Sequence, residues 1–170
     1  SVVGLILLSF LLLQVPAIQV KIGRQIAFKM SKLIGTEVKI EGLNFSLFNR
    51  IDIKNVLIRD QQKDTLLFAQ TLKLRLSDLI FSSKAPTLGY IGLEKAKIYL
   101  HRKTPVWNYQ FIVDHFKSND TSKSSSQQFD LKKIDFSNFQ FIQDDEWIGT
   151  TTKLESKHLI ANFNQFKGEK

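Results

Sequence analysis

Histidines and clustered carboxylates are the residues of this chain that could support catalysis or bind a metal ion. The three histidines, His101, His115 and His158, are far apart in the sequence, and the chain contains no cysteine. This spacing does not match a zinc site, and without cysteine there can be no disulfide, thiol nucleophile or thiolate ligand. We therefore expect solvated or locally hydrogen-bonded histidines and no bound metal.

The densest group of acids is Asp144, Asp145 and Glu146. Acids at a turn attract Ca²⁺, but calcium-binding loops space their ligands along the loop instead of placing them consecutively. Asp52 and Asp60 we interpret as outward-facing or turn residues. The sequence also lacks a glycine-rich phosphate loop, a nucleophile elbow and carboxylates paired at a catalytic spacing. We predict that the protein is not an enzyme and has no cofactor.

The net charge of +8 indicates an acidic partner, either nucleic acid or anionic lipid. The basic residues, however, are scattered singly along the predicted strands, whereas nucleic-acid surfaces interleave them with aromatic residues on one face. Phe occurs 14 times, against 3 Tyr and 2 Trp, and this bias favours wholly apolar surroundings because Phe has no polar group. We expect no nucleic-acid binding.

Residues 1–13, SVVGLILLSFLLL, carry no charge. A helix of that length spans about 20 Å, which is less than the roughly 30 Å of a bilayer core. The chain opens on Ser1, and we expect it to be a fragment of a longer protein. We interpret residues 1–15 as the C-terminal part of a transmembrane anchor, in preference to a signal peptide cleaved near Ala17.

Residues 16–35 have the pattern of a basic amphipathic helix, with Pro16 in its first turn and Gly35 at its end. Its apolar side either packs on the following sheet and caps it, or lies on an anionic lipid surface. The predicted apolar positions are Ile18, Ile22, Ile26, Met30, Leu33 and Ile34. The predicted membrane-surface basic residues are Lys21, Arg24, Lys29 and Lys32.

After Gly35 the apolar residues follow the period of β-strands. Four stretches, which begin at residues 40, 53, 93 and 136, share a three-residue step between apolar positions, as from Ile53 to Val56. A bend or bulge inside each stretch would keep one face of the sheet apolar around a corner. The predicted bends are at Gly42, Asn55, Lys95 and Asn138.

The predicted fold is mainly β with N-terminal helices. The strands begin over residues 36–117, with a short helix near 106–117, and continue over 129–170 after a flexible Ser-rich loop at 118–128. So few helical residues cannot cover so many one-sided strands. The sheet therefore either closes on itself as a sandwich or curves into an elongated trough that holds acyl chains, and composition leaves both open.

The order of motifs resembles the N-terminal region of the AsmA-like superfamily, specifically its TamB-type translocation and assembly module proteins. The similar stretches are LIGTEVKIEGL, IDIKNVLIRD, DTLLFAQTLKLRL, IGLEKAKIYLHR and WNYQFI. The stretch KDTLLFA, residues 63–69, is similar to the corresponding stretch of family members from Bacteroidota-like bacteria. The resemblance covers about residues 1–145 and consists of patterns of residue class.

The resemblance implies a β-taco, a long hydrophobic trough that is anchored in the inner membrane and extends through the periplasm of a Gram-negative bacterium. It implies phospholipid transport toward the outer membrane and an Omp85-type barrel (TamA-like) as partner, contacted by a C-terminal region absent here. Two alternatives are an assembly scaffold that templates outer-membrane strands and a closed sandwich that acts as a binding module. The residues expected to line the trough are Ile40, Phe45, Ile53, Ile58, Leu74, Leu93, Ile98, Phe136 and Phe141.

Overall fold

A computed structural model describes residues 4, 5, 8, 11, 12, 14–46, 49–76, 88–118 and 132–163 of the chain. The prediction of a mainly β fold with an N-terminal helix is confirmed. The helices are α1 (Pro16–Ile34) and α2 (Gln110–Ser118). The strands are β1 (Val38–Lys39), β2 (Gly42–Ser46), β3 (Arg50–Arg59), β4 (Thr65–Leu76), β5 (Leu88–Arg102), β6 (Lys133–Asp145) and β7 (Thr150–Asn162).

Among the described residues, no helix has the length and apolar character that crossing a membrane requires. The predicted anchor at residues 1–15 therefore has no support from the structure, although much of it lies outside the described residues. The predicted Ser-rich loop after residue 118 and the end of the predicted trough at residues 164–170 also lie outside the described residues.

The seven strands form one open sheet in the order β1-β3-β4-β5-β6-β7, and β2 also pairs with β3. All neighbours are antiparallel except β5 and β6, which are parallel. A parallel pair needs a crossover connection, and α2 belongs to it. In the described part of the chain, the strands pack on their neighbours in this order and no second sheet faces them. These strands therefore do not form a closed sandwich.

The ends of α1 follow from two residues. Pro16 lies in the first turn, where its missing N–H costs no helical hydrogen bond. Gly35 has a φ of 71°, and its N–H donates to the Ser31 carbonyl, which ends the helix in a left-handed cap. Both predicted ends are confirmed.

The predicted apolar side of α1 is only partly correct. Ile22 and Ile26 are half-buried against the sheet, but Met30 and Leu33 are exposed. The buried side is rotated because it contains small residues that permit close approach: a Cβ added to Gly23 would lie 3.2 Å from Cγ2 of Ile40. The buried residues of α1 are Gln19, Gly23, Ala27 and Ile34.

Three of the four predicted bends coincide with residues in the left-handed backbone region. Asn55, Lys95 and Asn138 have φ values of 48°, 47° and 51°. They lie in β3, β5 and β6, and together they form one line of bends across the sheet. At Gly42 the φ is not positive, and the interruption lies just before it, where pairing with β3 stops after Lys39 and resumes at Gly42.

The short helix begins later than predicted. Residues 106–109 form a bend and a turn, and α2 starts at Gln110. The physical reason is that Asn108 bonds back to β5: its backbone N–H donates to the His101 carbonyl over 3.0 Å, and its side-chain Oδ1 accepts from the His101 N–H over 3.0 Å. These bonds fix a turn in place of the first helical residues.

Candidate functional site

One face of the sheet, called the apolar face below, carries apolar residues at every paired position of three rows. Each row runs from the first strands to β7 and is defined by the residues paired across the sheet. The rows are Phe45–Ile51–Leu74–Ile91–Ile134–Ala161, Leu43–Ile53–Leu72–Leu93–Phe136–Leu159 and Val38–Ile58–Leu67–Ile98–Phe141–Leu154. The apolar pattern thus continues across six strands without interruption.

A fourth row of smaller residues runs between the second and third rows, along the line of bends. Val56, Ala69 and Ala96 are paired with one another and are buried. Phe139 follows on β6 and packs on Phe136, with 4.9 Å between ring centroids. The bend therefore carries small side chains on β4 and β5 and an aromatic ring on β6.

The opposite face is largely polar and is crossed by contacts between charged or polar side chains of neighbouring strands. Lys73 of β4 binds Glu94 of β5 over 2.5 Å, and this contact raises the pKa of Lys73. His158 of β7 lies 2.9 Å from Asp135 of β6. Because strands alternate their side chains between two faces, the sheet separates an apolar surface from a charged one.

Helix α1 covers the apolar face only at the β1–β3 end, which we call the covered part. Ala27 and Ile34 of the helix form one buried cluster with residues of the first strands, and Phe111 of α2 packs at its edge. The strand residues of this cluster are Val38, Ile40, Leu43, Ile53 and Val56. This end of the sheet therefore has an ordinary protein core.

The β5–β7 end, which we call the open part, has no such cover among the described residues. Leu93, Ala96 and Phe139 are buried by their own neighbours, Phe136 and Phe141 among them. Leu154 and Leu159 on β7 are 48% and 44% exposed. Large aliphatic side chains are normally buried, and exposed ones at the end of an apolar face indicate a binding surface.

The nine predicted trough residues divide between these two parts. Eight belong to the three rows of the apolar face, and Ile40 lies under α1 beside them. Ile40, Phe45, Ile53, Ile58 and Leu74 are in or against the covered cluster. Leu93, Ile98, Phe136 and Phe141 belong to the open part. The four predicted basic residues, Lys21, Arg24, Lys29 and Lys32, are all exposed on α1.

Of the two predicted alternatives for Asp60, an outward-facing or a turn position, the structure confirms the turn: Asp60 begins the β3–β4 turn, and its side chain is completely buried there. Its Oδ1 accepts from the backbone N–H groups of Gln62 and Asp64, and its Oδ2 accepts from Asn108 and lies 2.8 Å from Nε2 of His101. His101 therefore bonds far along the sequence and not locally as predicted. Sequence reasoning missed this network, for which the only signal is a lone acid at a strand end.

Burial alone would raise the pKa of Asp60, but the hydrogen bonds from His101, Asn108 and the Asp64 N–H hold it below its usual value. Ligand atoms of Asp60, Asp64 and His101 also lie within 4.8 Å of one another, a grouping that could hold a metal ion. Both Asp60 oxygens already accept hydrogen bonds, however, and a metal would have to displace them. The network is better explained as a structural connection between two turns and β5.

A second buried acid, Asp145, closes the β6–β7 turn. Nε and a terminal nitrogen of Arg102 donate to its two oxygens over 2.7 and 2.6 Å, and these bonds hold the pKa of Asp145 below its usual value. Arg102 also stacks on Trp107, 4.6 Å from the ring centroid. The acid turn predicted as a weak calcium candidate is thus occupied by an arginine.

A cleft of about 1030 Å³ opens beside Asp60, between the end of α1, the β3–β4 turn and α2. Its rim carries Lys32 and Lys103 but also Asp64 and Asp114, so it selects no ligand by charge. The extended apolar face is the stronger candidate site.

Comparison with known proteins adds no relative: the chain matches no family model, no curated protein and no solved structure.

Proposed function

We propose that this chain is the membrane-proximal part of a periplasmic bridge that conducts phospholipids through a hydrophobic β-groove toward the outer membrane. One observation carries the proposal. The apolar face continues unbroken from under α1 to Leu154 and Leu159 on β7, where large aliphatic side chains remain exposed beside a charged opposite face. The resemblance to TamB-type proteins supports the same function.

The line of bends gives the groove its axis. Asn55, Lys95 and Asn138 turn their strands at the same level, so the sheet curves about a line that runs across the strands. The groove then extends from β1 toward β7, and each strand lengthens it by about 4.8 Å. Helix α1 closes the first end, and any strand added beyond β7 would continue the groove.

Acyl chains fit this surface energetically. Each methylene removed from water contributes roughly 0.8 kcal/mol, whether it enters a bilayer or an apolar protein surface. A lipid tail therefore exchanges between membrane and groove at little net cost, as a passive conduit requires. The headgroup would remain at the open side of the groove, in water.

The setting of the bridge is part of the proposal. Residues 1–15 would anchor the chain in the inner membrane with a single span, and the strands would lie in the periplasm of a Gram-negative bacterium. An Omp85-type outer-membrane barrel would be contacted by a C-terminal region beyond this sequence. Apart from the uncharged residues 1–13, these elements are supported by the resemblance alone.

Photo-crosslinking in living cells tests the conduit. A benzophenone amino acid replaces Ile98, on the apolar face, or Lys97, its exposed neighbour on the opposite face. A third variant carries it at Ile53, under α1. We expect phospholipid adducts at Ile98 and not at Lys97 or Ile53. Equal capture at Ile98 and Lys97, or none at either, would refute the conduit.

The free edge of β7 favours a second function, the templating of outer-membrane strands. In the described part of the chain this 13-residue strand pairs only with β6, and an unpaired edge can accept an added strand. Because alternate N–H groups point away from β6, Thr152→Pro and Lys153→Pro together test the edge. One of these removes an N–H that bonds to β6 and weakens the sheet under either function, whereas the other removes an N–H only from the free edge. Templating predicts damage from both and tolerance of Leu154→Asp, whereas conduction predicts damage from only one of them and from Leu154→Asp.

A further inference from the structure

The outward side of α1 is unusually basic. Residues 16–34 contain four cations and no acid, and Lys21, Arg24, Lys29 and Lys32 are all exposed. In the described part of the chain, no acid lies within ion-pair distance of any of the four. Exposed charges of one sign without partners attract a surface of the opposite sign.

Phe28 lies in the middle of this basic side and is 61% exposed. Arg24 and Lys32 are one turn before and one turn after it, and Nζ of Lys32 lies 4.7 Å from the ring centroid. Phe28 borders a shallow depression that Ala17, Val20, Lys21, Arg24 and Gln25 also line. An exposed aromatic ring among cations is typical of helices that lie in the headgroup region of a bilayer.

The opposite side of α1 is already used. Gln19, Gly23 and Ala27 are buried toward β1 and β2, and at 100° per residue Phe28 points away from them. The helix also lies along β3: Gln14 Nε2 donates to the Phe45 carbonyl near the start of β3, and Thr36 Oγ1 donates to the Asp60 carbonyl just past its end. The axis of α1 is therefore parallel to the strands and perpendicular to the strand order.

We infer that Phe28, Lys21, Arg24 and Lys32 dock α1 flat on the surface of an anionic phospholipid bilayer. Because the buried side of α1 packs on β1 and β2, this docking puts the covered end of the apolar face next to the membrane. From the proposed function, this inference takes only the assumption that the chain lies beside a membrane. It does not depend on lipid conduction. The partner of the basic side of α1 is an anionic bilayer because residues 16–34 contain no acid that could neutralise the four cations.

A single fluorescent label tests the docking, because the chain has no cysteine and one introduced cysteine is labelled uniquely. The full chain, with Gln25→Cys carrying an NBD group, is reconstituted in vesicles of phosphatidylcholine with 30% phosphatidylglycerol, that is, about 30% anionic lipid, enough to create a negative surface potential. The matched control carries the label at Lys97→Cys. We expect lipid-attached quenchers to reach position 25 and not position 97.

Charge and the aromatic ring are then removed separately. One basic residue near an anionic leaflet strengthens binding about fivefold, so Arg24→Gln should weaken the docking of position 25 by that factor, and Phe28→Ser should reduce quenching further. The matched control is Phe68→Ser, which removes an exposed ring on β4 and should change nothing. Quenching that is equal in pure phosphatidylcholine, or absent at position 25, overturns the inference.

The remaining outcomes separate this inference from the proposed function. Quenching at position 25 without lipid adducts at Ile98 retains the docking and removes the conduit. Adducts at Ile98 without quenching retain the conduit and remove the docking. If a second copy of the chain covers this side of α1 instead, the emission at position 25 shifts in detergent without vesicles and depends on protein concentration, which also overturns the inference.

Discussion

The covered and open parts of the apolar face have the same alternation of apolar and polar residues. They differ because α1 packs on the covered part, and no described helix packs on the open part. Ile53 and Leu93 are paired through Leu72 in one row, yet Ile53 lies in the cluster under α1 and Leu93 in the part that no described helix covers. The row ends at Leu159, which is 44% exposed. Alternation of side chains therefore determines which way a residue faces, whereas burial depends on its surroundings. Ile53 and Leu93 are both 8% exposed, Ile53 beneath α1 and Leu93 among residues of the sheet itself.

At the ends of the strands the two parts are alike, because in each part a buried aspartate of a turn contacts a side chain of β5. The covered part ends at Asp60, which is bonded to His101, and the open part ends at Asp145, which is bonded to Arg102. His101 and Arg102 are consecutive residues at the end of β5, so one strand joins both turns. In both parts, the turn at the end of the strands is therefore tied to β5 by a buried side-chain contact.

The largest expected effect is the loss of the Asp60 network. Asp60→Ala removes a fully buried acceptor and leaves the His101 ring and two backbone N–H groups without it, while Asn108 keeps its bond to the Tyr99 carbonyl. Leaving buried hydrogen-bond donors without an acceptor costs about 1–3 kcal/mol for each donor, so we expect the free energy of unfolding to fall by about 4 kcal/mol in urea titrations. Asp64→Ala, in the same turn but exposed, should change it by less than about 0.5 kcal/mol.

A core truncation in the covered part should have the next largest effect. Leu43 is 1% exposed and contacts the cluster under α1, and Leu→Ala changes at such sites cost about 3 kcal/mol. Leu159→Ala, in the same row of the apolar face, should cost less than about 1 kcal/mol because its side chain already contacts water. Equal losses in urea denaturation would mean that the open part is also a closed core.

Low pH should lower the free energy of unfolding because the two buried aspartates, Asp60 and Asp145, become protonated. The pKa of Asp60 is lower in the folded chain than its usual value, as is that of Asp145. An unfolded Asp binds its proton near pH 4, and between that pH and the lower folded pKa the unfolded state binds more protons. The stabilisation is therefore complete above about pH 5 and is lost as the pH falls through the folded pKa.

The Asp60→Asn variant isolates one of the two contributions. Its urea midpoint should fall less steeply between about pH 5 and pH 2 than that of the unchanged chain, because one carboxyl no longer titrates. A residual slope should remain because Asp145 is intact. An identical slope in both proteins would show that Asp60 does not resist protonation in the folded state.

The sequence predicts the facing of the strands well because facing depends on local alternation. The three-residue steps at Asn55, Lys95 and Asn138 locate the bends because a strand can skip one position only by leaving the extended region. The buried side of α1 could not be predicted from its apolar period. Close approach at Gly23 and Ala27 decides it, and this depends on the shape of the sheet beneath.

The buried acids could not be predicted either. Asp60 is 41 residues from His101 and Asp145 is 43 residues from Arg102, and no period in the sequence links them. Their partners are decided by which turns meet at the end of β5, which is a property of the strand order. The parallel pairing of β5 with β6 fixes that order and is not specified by strand alternation.

The smallest expected effect on the free energy of unfolding is at the bends, where Lys95 in the open part is compared with Asn55 in the covered part. Lys95 holds a left-handed φ of 47° in β5, a conformation that costs a side-chain-bearing residue about 1 kcal/mol, whereas glycine adopts it freely. Lys95→Gly should therefore raise the free energy of unfolding by about 0.5 kcal/mol, after the larger unfolded-state entropy of glycine is subtracted. Asn55→Gly should gain less, because asparagine tolerates this region and Nδ2 of Asn55 donates to Glu41. Urea titration of both variants checks the order, and a loss of stability in Lys95→Gly would mean that the lysine side chain stabilises the bend.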